Sequence, residues 1–530
     1  MKNYLNILDI PDEILFLIFQ KLNAVEVFST LEDVNQRFHR LAIDPLLIRD
    51  LNMTTITNIN SFYDQNSLMD SKVLSRICKK ILPQIHTQVQ KLTVEQDSMK
   101  EILRAGNYPQ LYSLSLINCE EEILYQYLTD DLILRDLLTK QITHLNIDMK
   151  IIVEPNSETM SKIFQLILSL CKNLISLNFC DMYLTRTCCS GLPYLLQNNY
   201  MPSSLNKLKI NLPVLTYCLY LLDGPLVSLS TLIINVFSIF HPEMLEPIDP
   251  TKKLPNLKCF SFTSFGYTQE YDNLIVPLLC RMINLEELQL YLNVGRLYPS
   301  FIDGNQLYDQ FLIYMTQLRK FTFNIESDIT FDIIPNDIST TEDIQRTFIG
   351  RIYEPVAVHV YMEPDPDPRC SICHVYTLPY DFEYFIGLDN SFQGGIFEKV
   401  RRLEMSDIIP FEYKLFKIIS QDFPFLEFLY ISNTWPQEEN QHSSTIITFP
   451  NLTHLALKYA HVDYAKLFLF KQNINLPHLI NLTIEYKSLV AITDNFTNNA
   501  AFFNFDKLKR LDVCQLFVGS KTFYDYFPLL

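Results

Sequence analysis

One apolar motif recurs along most of this chain of 530 residues, with its three apolar positions separated by two residues and then by one. Clear copies are LYSLSL, LEELQL, LEFLYI and LKRLDV, and they follow one another at a mean spacing of about 30 residues in the first part and about 27 in the last. A single unit of this length cannot bury its own apolar face, so neighbouring units must stack. The copies begin at Val89, Leu111, Ile142, Leu174, Leu205, Leu229, Leu257, Leu285, Leu318, Val400, Leu426, Leu452, Leu479 and Leu508. We therefore predict that the chain forms a row of similar units stacked side by side.

This motif and its period resemble the leucine-rich repeat. The resemblance implies an α/β fold, namely a curved solenoid with one short parallel strand in each repeat and helices such as residues 161–171 and 464–471 on the outer face. No clear copy lies between Leu318 and Val400. There Val356, Val358 and Val360 alternate as a strand would, so we predict one divergent repeat, with a long exposed loop that includes the proline-rich stretch at 363–368.

The first fifty residues follow a different pattern, with six consecutive apolar residues at 14–19. Pro11, Asp12 and Glu13 are typical of a helix start, because proline presets the first-turn dihedral and the carboxylates favour the positive end of the helix dipole. Six consecutive apolar residues cover every direction around a helix. One face can pack within the local fold, and the other is predicted to meet a second protein.

Residues 8–47 resemble an F-box, on the order and spacing of Ile10-Pro11, Glu13-Ile14-Leu15, Ile18-Phe19 and Arg37-Phe38. Phe38 stands where the family often has tryptophan. The resemblance implies docking onto a Skp-family adaptor, which joins a cullin scaffold carrying the RING component of a ubiquitin ligase. The adaptor-binding residues that it implies are Pro11, Ile14, Leu15, Ile18, Phe19, Leu22, Leu31, Val34 and Phe38. Alternatively, these residues are only the core of a small helical cap on the rest of the chain.

The two resemblances imply a division of the chain into five parts. Residues 1–52 are the F-box, and 53–85 form a helical linker or cap. The first part of the leucine-rich-repeat solenoid covers 86–323, the divergent repeat with its loop covers 324–399, and the last part of the solenoid covers 400–530.

Strand alternation predicts that the third, fifth and seventh positions of each motif face away from the core. We predict target-binding residues among them and in the following turn, namely Tyr291, Lys320, Arg402, Phe428, Tyr430, Trp435 and His454. Phe428 and Tyr430 would form an exposed aromatic pair unless the preceding excursion folds over them as core. The basic positions could meet an acidic or phosphorylated motif, or be ordinary solvated surface.

Composition excludes several classes of protein. Apolar residues make up 48% and charged residues 19%, which favours a folded chain over a disordered one. A net charge of −17 argues against a nucleic-acid partner, and the apolar stretches are too interrupted for a signal peptide or a membrane span. The twelve cysteines form no dense framework, so we expect reduced thiols and a cytoplasmic or nuclear location.

Candidate catalytic or cofactor motifs are sparse. The run 370–374, with sequence CSICH, has the spacing of haem attachment or half a zinc site, but no second cysteine pair lies at a suitable distance. Cys188-Cys189 has only Arg186 nearby to activate a thiol, and His144 and His454 share a repeat register instead of forming a triad. We predict no metal, no cofactor and no catalysis by the chain itself.

The sequence thus favours a non-catalytic substrate receptor of an SCF (Skp-cullin-F-box) ubiquitin ligase, whose first helices hold the adaptor and whose repeats hold an unidentified target protein. One alternative is a leucine-rich-repeat scaffold or inhibitor that acts outside a ligase. Another is a hydrolase on a repeat frame, which would need catalytic groups clustered in one pocket.

Overall fold

In a computed structural model, which describes most of the chain, the chain divides into two compact units. The first unit spans Met1–Val294 and Leu307–Phe321, and the second spans Gly295–Gln306 and Thr322–Leu530. The described residues are 7, 10–31, 34–54, 69–149, 157–179, 204–224, 228–240, 248–296, 300–330, 339–351, 353, 355–362, 370–438, 446–514, 523, 526 and 527. Two sequence features, Cys188-Cys189 and the stretch at 363–368, lie outside them.

The first unit opens with a group of short helices at Asp12–Phe19, Ala24–Glu26, Val27–Leu31, Gln36–Ala42 and Pro45–Ile48. Asparagine and aspartate side chains start most of them, as the N-cap preference predicts. Asn23 and Glu26 form a capping box, and Asn35 accepts a hydrogen bond of 2.9 Å from the backbone N–H of Phe38. We call residues 10–48 the N-terminal helical unit.

Nine described strands of the first unit lie side by side in chain order, all parallel. They are β1 (Asp50–Asn52), β2 (Lys91–Glu95), β3 (Ser113–Cys119), β4 (His144–Met149), β5 (Ser176–Phe179), β6 (Lys207–Val214), β7 (Thr231–Ser238), β8 (Cys259–Thr268) and β9 (Glu287–Arg296). The helices of this unit are Ser71–Arg76, Ile77–Ile81, Leu82–Ile85, His86–Gln88, Gln96–Arg104, Glu121–Asp130, Leu132–Lys140, Ser157–Leu170, Leu215–Asp223, Tyr271–Ile275, Val276–Leu279 and Leu312–Tyr314.

The second unit contains a parallel sheet and an antiparallel group of strands. Its strands are most of β10 (Lys320–Thr330), then β11 (Val356–Met362), β12 (Cys370–Thr377), β13 (Tyr384–Leu388), β14 (Arg402–Ser406), β15 (Phe428–Asn433), β16 (Ile447–Thr448), β17 (His454–Ala460), β18 (Ile474–Asn475), β19 (Asn481–Ile484) and β20 (Arg510–Asp512). The helices are Thr341–Phe348, Tyr413–Asp422, Val462–Leu469, Tyr486–Thr493 and Ala500–Phe502, together with Gly304–Gln310 at the boundary with the first unit.

The repeated motif positions the strands in both units. Each of the fourteen motif copies contains a strand, and each strand begins two residues after the first apolar residue of its copy. In the copy at Leu285, for example, β9 starts at Glu287, while Leu285, Leu288 and Leu290 are buried. The predicted mixed α/β class and mostly parallel sheet are confirmed, as are the predicted helices near 161–171 and 464–471.

The segment between the two runs of motif copies differs from its prediction. Val356, Val358 and Val360 do lie in a strand, but β11 pairs antiparallel with β12, and β12 pairs antiparallel with β10. Residues 370–377, predicted as loop, form β12 because they pair with β10 and β11 and most of their side chains, such as those of Cys373 and Val375, are buried. The segment is therefore an antiparallel strand pair and not one more parallel repeat.

Candidate functional site

An apolar face is exposed on the first helix of the N-terminal helical unit. Ile14, Leu17 and Ile18 are 47%, 56% and 39% exposed. Positions three and four apart on a helix are neighbours, so these side chains form one continuous patch. On the other side of the helix, Leu15 and Phe19 are fully buried, and Phe19 packs against Phe38 with ring centroids 5.6 Å apart. Helix packing thus satisfies one face and leaves the other to solvent.

An arginine from another helix fixes the orientation of this first helix. Arg37 donates from Nε to Oδ1 of Asp12 at 2.5 Å and from Nη2 to the carbonyl of Ile10 at 2.6 Å. Arg40 donates to the other Asp12 oxygen at 2.7 Å. The hydrogen bond from Arg37 is the main cause that lowers the pKa of Asp12 below its usual value. The exposed apolar face therefore belongs to a helix whose N terminus is held in place by hydrogen bonds from Arg37 and Arg40.

A groove of about 370 Å³ lies beside this helix, within the N-terminal helical unit and the start of β1. Its apolar lining includes Leu22, Phe28 and Leu46, of which Leu22 and Leu46 are exposed. The groove and the face made by Ile14, Leu17 and Ile18 together offer a partner more apolar surface than the helix alone.

The structure separates the predicted adaptor-binding residues into two groups. Pro11, Ile14, Ile18, Leu22 and Val34 are exposed and available to a partner. Leu15, Phe19 and Phe38 are buried, so the prediction that they contact a partner directly is corrected: they form the core that positions the exposed residues. The side chain of Leu31 lies outside the described part. Leu17 and Leu46 were missed, although the position of Leu17 three residues after Ile14 could have indicated it.

The predicted target-binding positions on the strands are also divided. Lys320 is exposed, and Arg402 and Tyr430 are half-buried. Tyr291, Phe428 and His454 are buried, which corrects the prediction that they face a target. Neighbouring side chains shield two of these residues from solvent. Phe265 packs on Tyr291 with ring centroids 5.1 Å apart, and the Arg402 guanidinium lies 4.3 Å from the ring centroid of Phe428.

Trp435, the only tryptophan of the chain, is 57% exposed just after β15 and lines a cavity of about 660 Å³ in the second unit. The C-terminal ends of β13, β14 and β15 and the loops that follow them supply most of the lining residues, and Glu326, Tyr361 and Ile372 on β10–β12 supply the others. We call this cavity the acidic pocket. Its remaining lining residues are Gly387, Asp389, Asn390, Ser391, Ser406, Asp407, Ile408, Ile409, Ser432, Asn433 and Thr434.

Three carboxylates line the acidic pocket, and they are held differently. Asp407 accepts hydrogen bonds of 2.9 Å from the backbone and the side-chain amide of Asn390, and Asp389 accepts one of 2.7 Å from the backbone N–H of Ser391. Burial is the main cause that raises the pKa of Glu326 to about 7, and the charges of Asp389 and Asp328 add to it. No sequence pattern indicates this cluster, because its members come from separate segments.

The run 370–374 lies on β12, where Cys373 and His374 are buried. His374 is buried on β12, its ring nitrogen lies 2.9 Å from Oδ1 of Asn324, and burial lowers its pKa to about 3. Burial also raises the pKa of the Cys373 thiol to about 12, which makes it a poor nucleophile. Among the described residues, no group of three or more His, Cys, Asp or Glu side chains is placed to hold a metal ion. No described helix is both long and apolar enough to cross a bilayer.

No known protein-family model matches this chain, and no curated protein matches it.

Proposed function

We propose that this protein is a substrate-receptor subunit of an SCF-type ubiquitin ligase. The observation that carries the proposal is the exposed face made by Ile14, Leu17 and Ile18, on a helix whose sequence context resembles an F-box. Burying a side chain of this kind contributes roughly 1.5 to 3 kcal/mol when it is fully exposed beforehand. Three such residues, half-exposed and adjacent, are a suitable anchor for an adaptor protein.

The repeated strands support the second half of the proposal. Regular strand–helix units with apolar residues at fixed positions are what a leucine-rich-repeat solenoid requires, and such a solenoid presents a long surface to a target protein. The chain would act by proximity. By holding a target near the conjugating enzyme, it would convert a bimolecular encounter into an effectively intramolecular one, while other subunits perform the chemistry.

Binding to a purified Skp-family adaptor tests the proposal. The wild-type chain is expected to bind, and the double variant Ile14→Asp with Ile18→Asp is expected to lose binding while it keeps its fold, because both side chains already face solvent. Charged substitutions at Leu15 or Phe19 are unsuitable, since these residues are core and the variant would unfold locally.

Leu132→Asp is the matched control, because Leu132 is an apolar helix residue that is 80% exposed elsewhere in the first unit. It should bind the adaptor as well as the wild type does. If the wild type fails to bind, or if the double variant binds equally well, the ligase proposal is wrong. A folded chain that captures a target but no adaptor would instead favour a scaffold or inhibitor.

A further inference from the structure

We propose that the acidic pocket of the second unit binds a cationic side chain, lysine or arginine, of the target protein. This inference rests on the proposed function for the identity of its ligand as a target. The chemistry of the pocket itself, an anionic and partly aromatic cavity, does not depend on any adaptor.

The charged side chains that line the pocket are all acidic. Glu326, Asp389 and Asp407 line it, and no lysine, arginine or histidine is among its lining residues. Asp407 and Asp389 are held by backbone and amide donors, so their positions are fixed before any ligand arrives. Preorganised carboxylates recognise ammonium and guanidinium groups through charge-assisted hydrogen bonds.

Glu326 is the group that most needs a ligand. Among the described residues, no hydrogen bond or ion pair to its carboxylate is found, although protein atoms surround it and its like-charged neighbours are Asp389 and Asp328. Oε2 of Glu326 lies close to Gly387, where an added Cβ would be 3.2 Å from it. A partly buried carboxylate without a counter-charge costs free energy, and an incoming cation would reduce that cost.

The pocket is shaped for the stem of a long side chain as well as for its charge. The exposed ring of Trp435 and the ring of Tyr361 line it, together with Ile372, Ile408 and Ile409. Aliphatic carbons pack on such residues, while a cation over an indole or phenol ring gains further attraction. Lysine and arginine combine both properties.

A bare metal ion suits the pocket less well. Its carboxylates do not form a ligating group of three among the described residues, and about 660 Å³ is far larger than one ion requires. The net charge of −17 for the whole chain also favours cationic partners, because complementary charge accelerates association.

The single tryptophan gives a direct readout, since tryptophan fluorescence of the full chain reports only on Trp435. The probes are Gly-Ser peptides with one central lysine, arginine or norleucine, and free spermidine as a small-molecule source of ammonium groups. We expect a saturable change with the lysine or arginine peptide and none with the norleucine peptide, which keeps the stem but lacks the charge.

Glu326→Gln should weaken this binding by about tenfold or more, as loss of one desolvated charge pair would. Asp389→Asn is a second variant in case the first fails to fold. Glu398→Gln, an exposed carboxylate of the same unit outside the pocket, should bind like the wild type.

Three outcomes would overturn the inference: equal binding of the norleucine peptide, binding of spermidine alone, or no response of the folded wild type up to millimolar peptide. The adaptor test is separate, because it depends on the N-terminal helical unit. A chain that binds the lysine peptide but no adaptor would support the pocket inference and contradict the ligase proposal. A chain that binds the adaptor but not the lysine peptide would support the ligase proposal and contradict the pocket inference.

Discussion

The guanidinium of Arg402 lies over the ring of Phe428, with its central carbon 4.3 Å from the ring centroid. Arg402 also pairs with Glu404 on its own strand, and Phe428 is its register partner on the next strand. The aromatic residue that strand alternation directs outward is therefore covered by its neighbour. Phe428, which strand alternation predicts as a target-binding residue, is therefore part of the core.

Phe428→Ala should therefore reduce stability. Replacing a buried phenylalanine by alanine costs about 3 to 5 kcal/mol through lost burial and the cavity left behind. Hydrogen exchange of peptides covering β14 to β17 should accelerate strongly in this variant. Trp435→Ala is the control, because Trp435 is mostly exposed and should leave exchange there unchanged. Equal exchange in both variants would show that Phe428 is surface.

The N-terminal helical unit should show the same contrast between core and surface. Phe38→Ala removes a fully buried ring that packs on Phe19 and should destabilise this unit by about 3 kcal/mol or more. Val34→Ala truncates an exposed side chain just before the same helix and should change stability by less than about 0.5 kcal/mol. Limited proteolysis within residues 10–48 measures the difference. Matching cleavage rates in the two variants would contradict the packing described above.

Glu326 should make the second unit less stable as the pH rises. Its folded-state pKa of about 7 lies above the ordinary value of 4.5, so the folded state binds the proton more tightly than the unfolded state. This contribution is complete below pH 4.5 and is lost as the pH rises through 7, with a maximum of about 3 kcal/mol. Thermal melts of wild type and Glu326→Gln should therefore diverge as the pH rises from about 4.5 to about 7, with the variant more stable, and the difference should stay constant above this range.

The groups that face Glu326 set this behaviour. Asp389 and Asp328 raise its pKa by repulsion, and burial raises the pKa of Tyr361, so that hydroxyl stays neutral. His374 opposes Glu326 on β12 and His359 opposes His374 on β11, and burial lowers the pKa of both. His374, whose pKa is about 3, is therefore neutral in this pH range. A pH profile of Glu326→Gln that parallels the wild type would contradict the assignment.

Asp12 should make the N-terminal helical unit sensitive to acid. Its pKa is lowered, chiefly by the hydrogen bond from Arg37, so the stabilisation is present above the ordinary value of 3.8 and is lost as the pH falls through the lower folded-state value. Asp12→Asn should accelerate hydrogen exchange in Asp12–Phe19 at neutral pH, and the difference from wild type should shrink in acid. Glu13→Gln, in the same helical turn, is the control and should exchange like the wild type at neutral pH.

Local periodicity predicted much of the fold and only part of the candidate sites. The spacing of the apolar motif placed every one of its fourteen strands, because an apolar residue at each fixed position must be buried. It failed at 370–377, where no motif copy exists and pairing with β10 and β11 decided the strand. Among the adaptor residues it named both faces of one helix, because six consecutive apolar residues do not say which side packs inward.

The sequence by itself determined which residues form the fourteen motif strands, because that information is local and repeats. Only the tertiary structure decided that Leu15 and Phe19 are core while Ile14 and Ile18 are exposed, since this depends on where Phe38 packs. It also brought Glu326, Asp389 and Trp435 to one cavity from three distant segments. Side-chain exposure and charge clustering are properties of neighbours in space, which one-dimensional spacing does not encode.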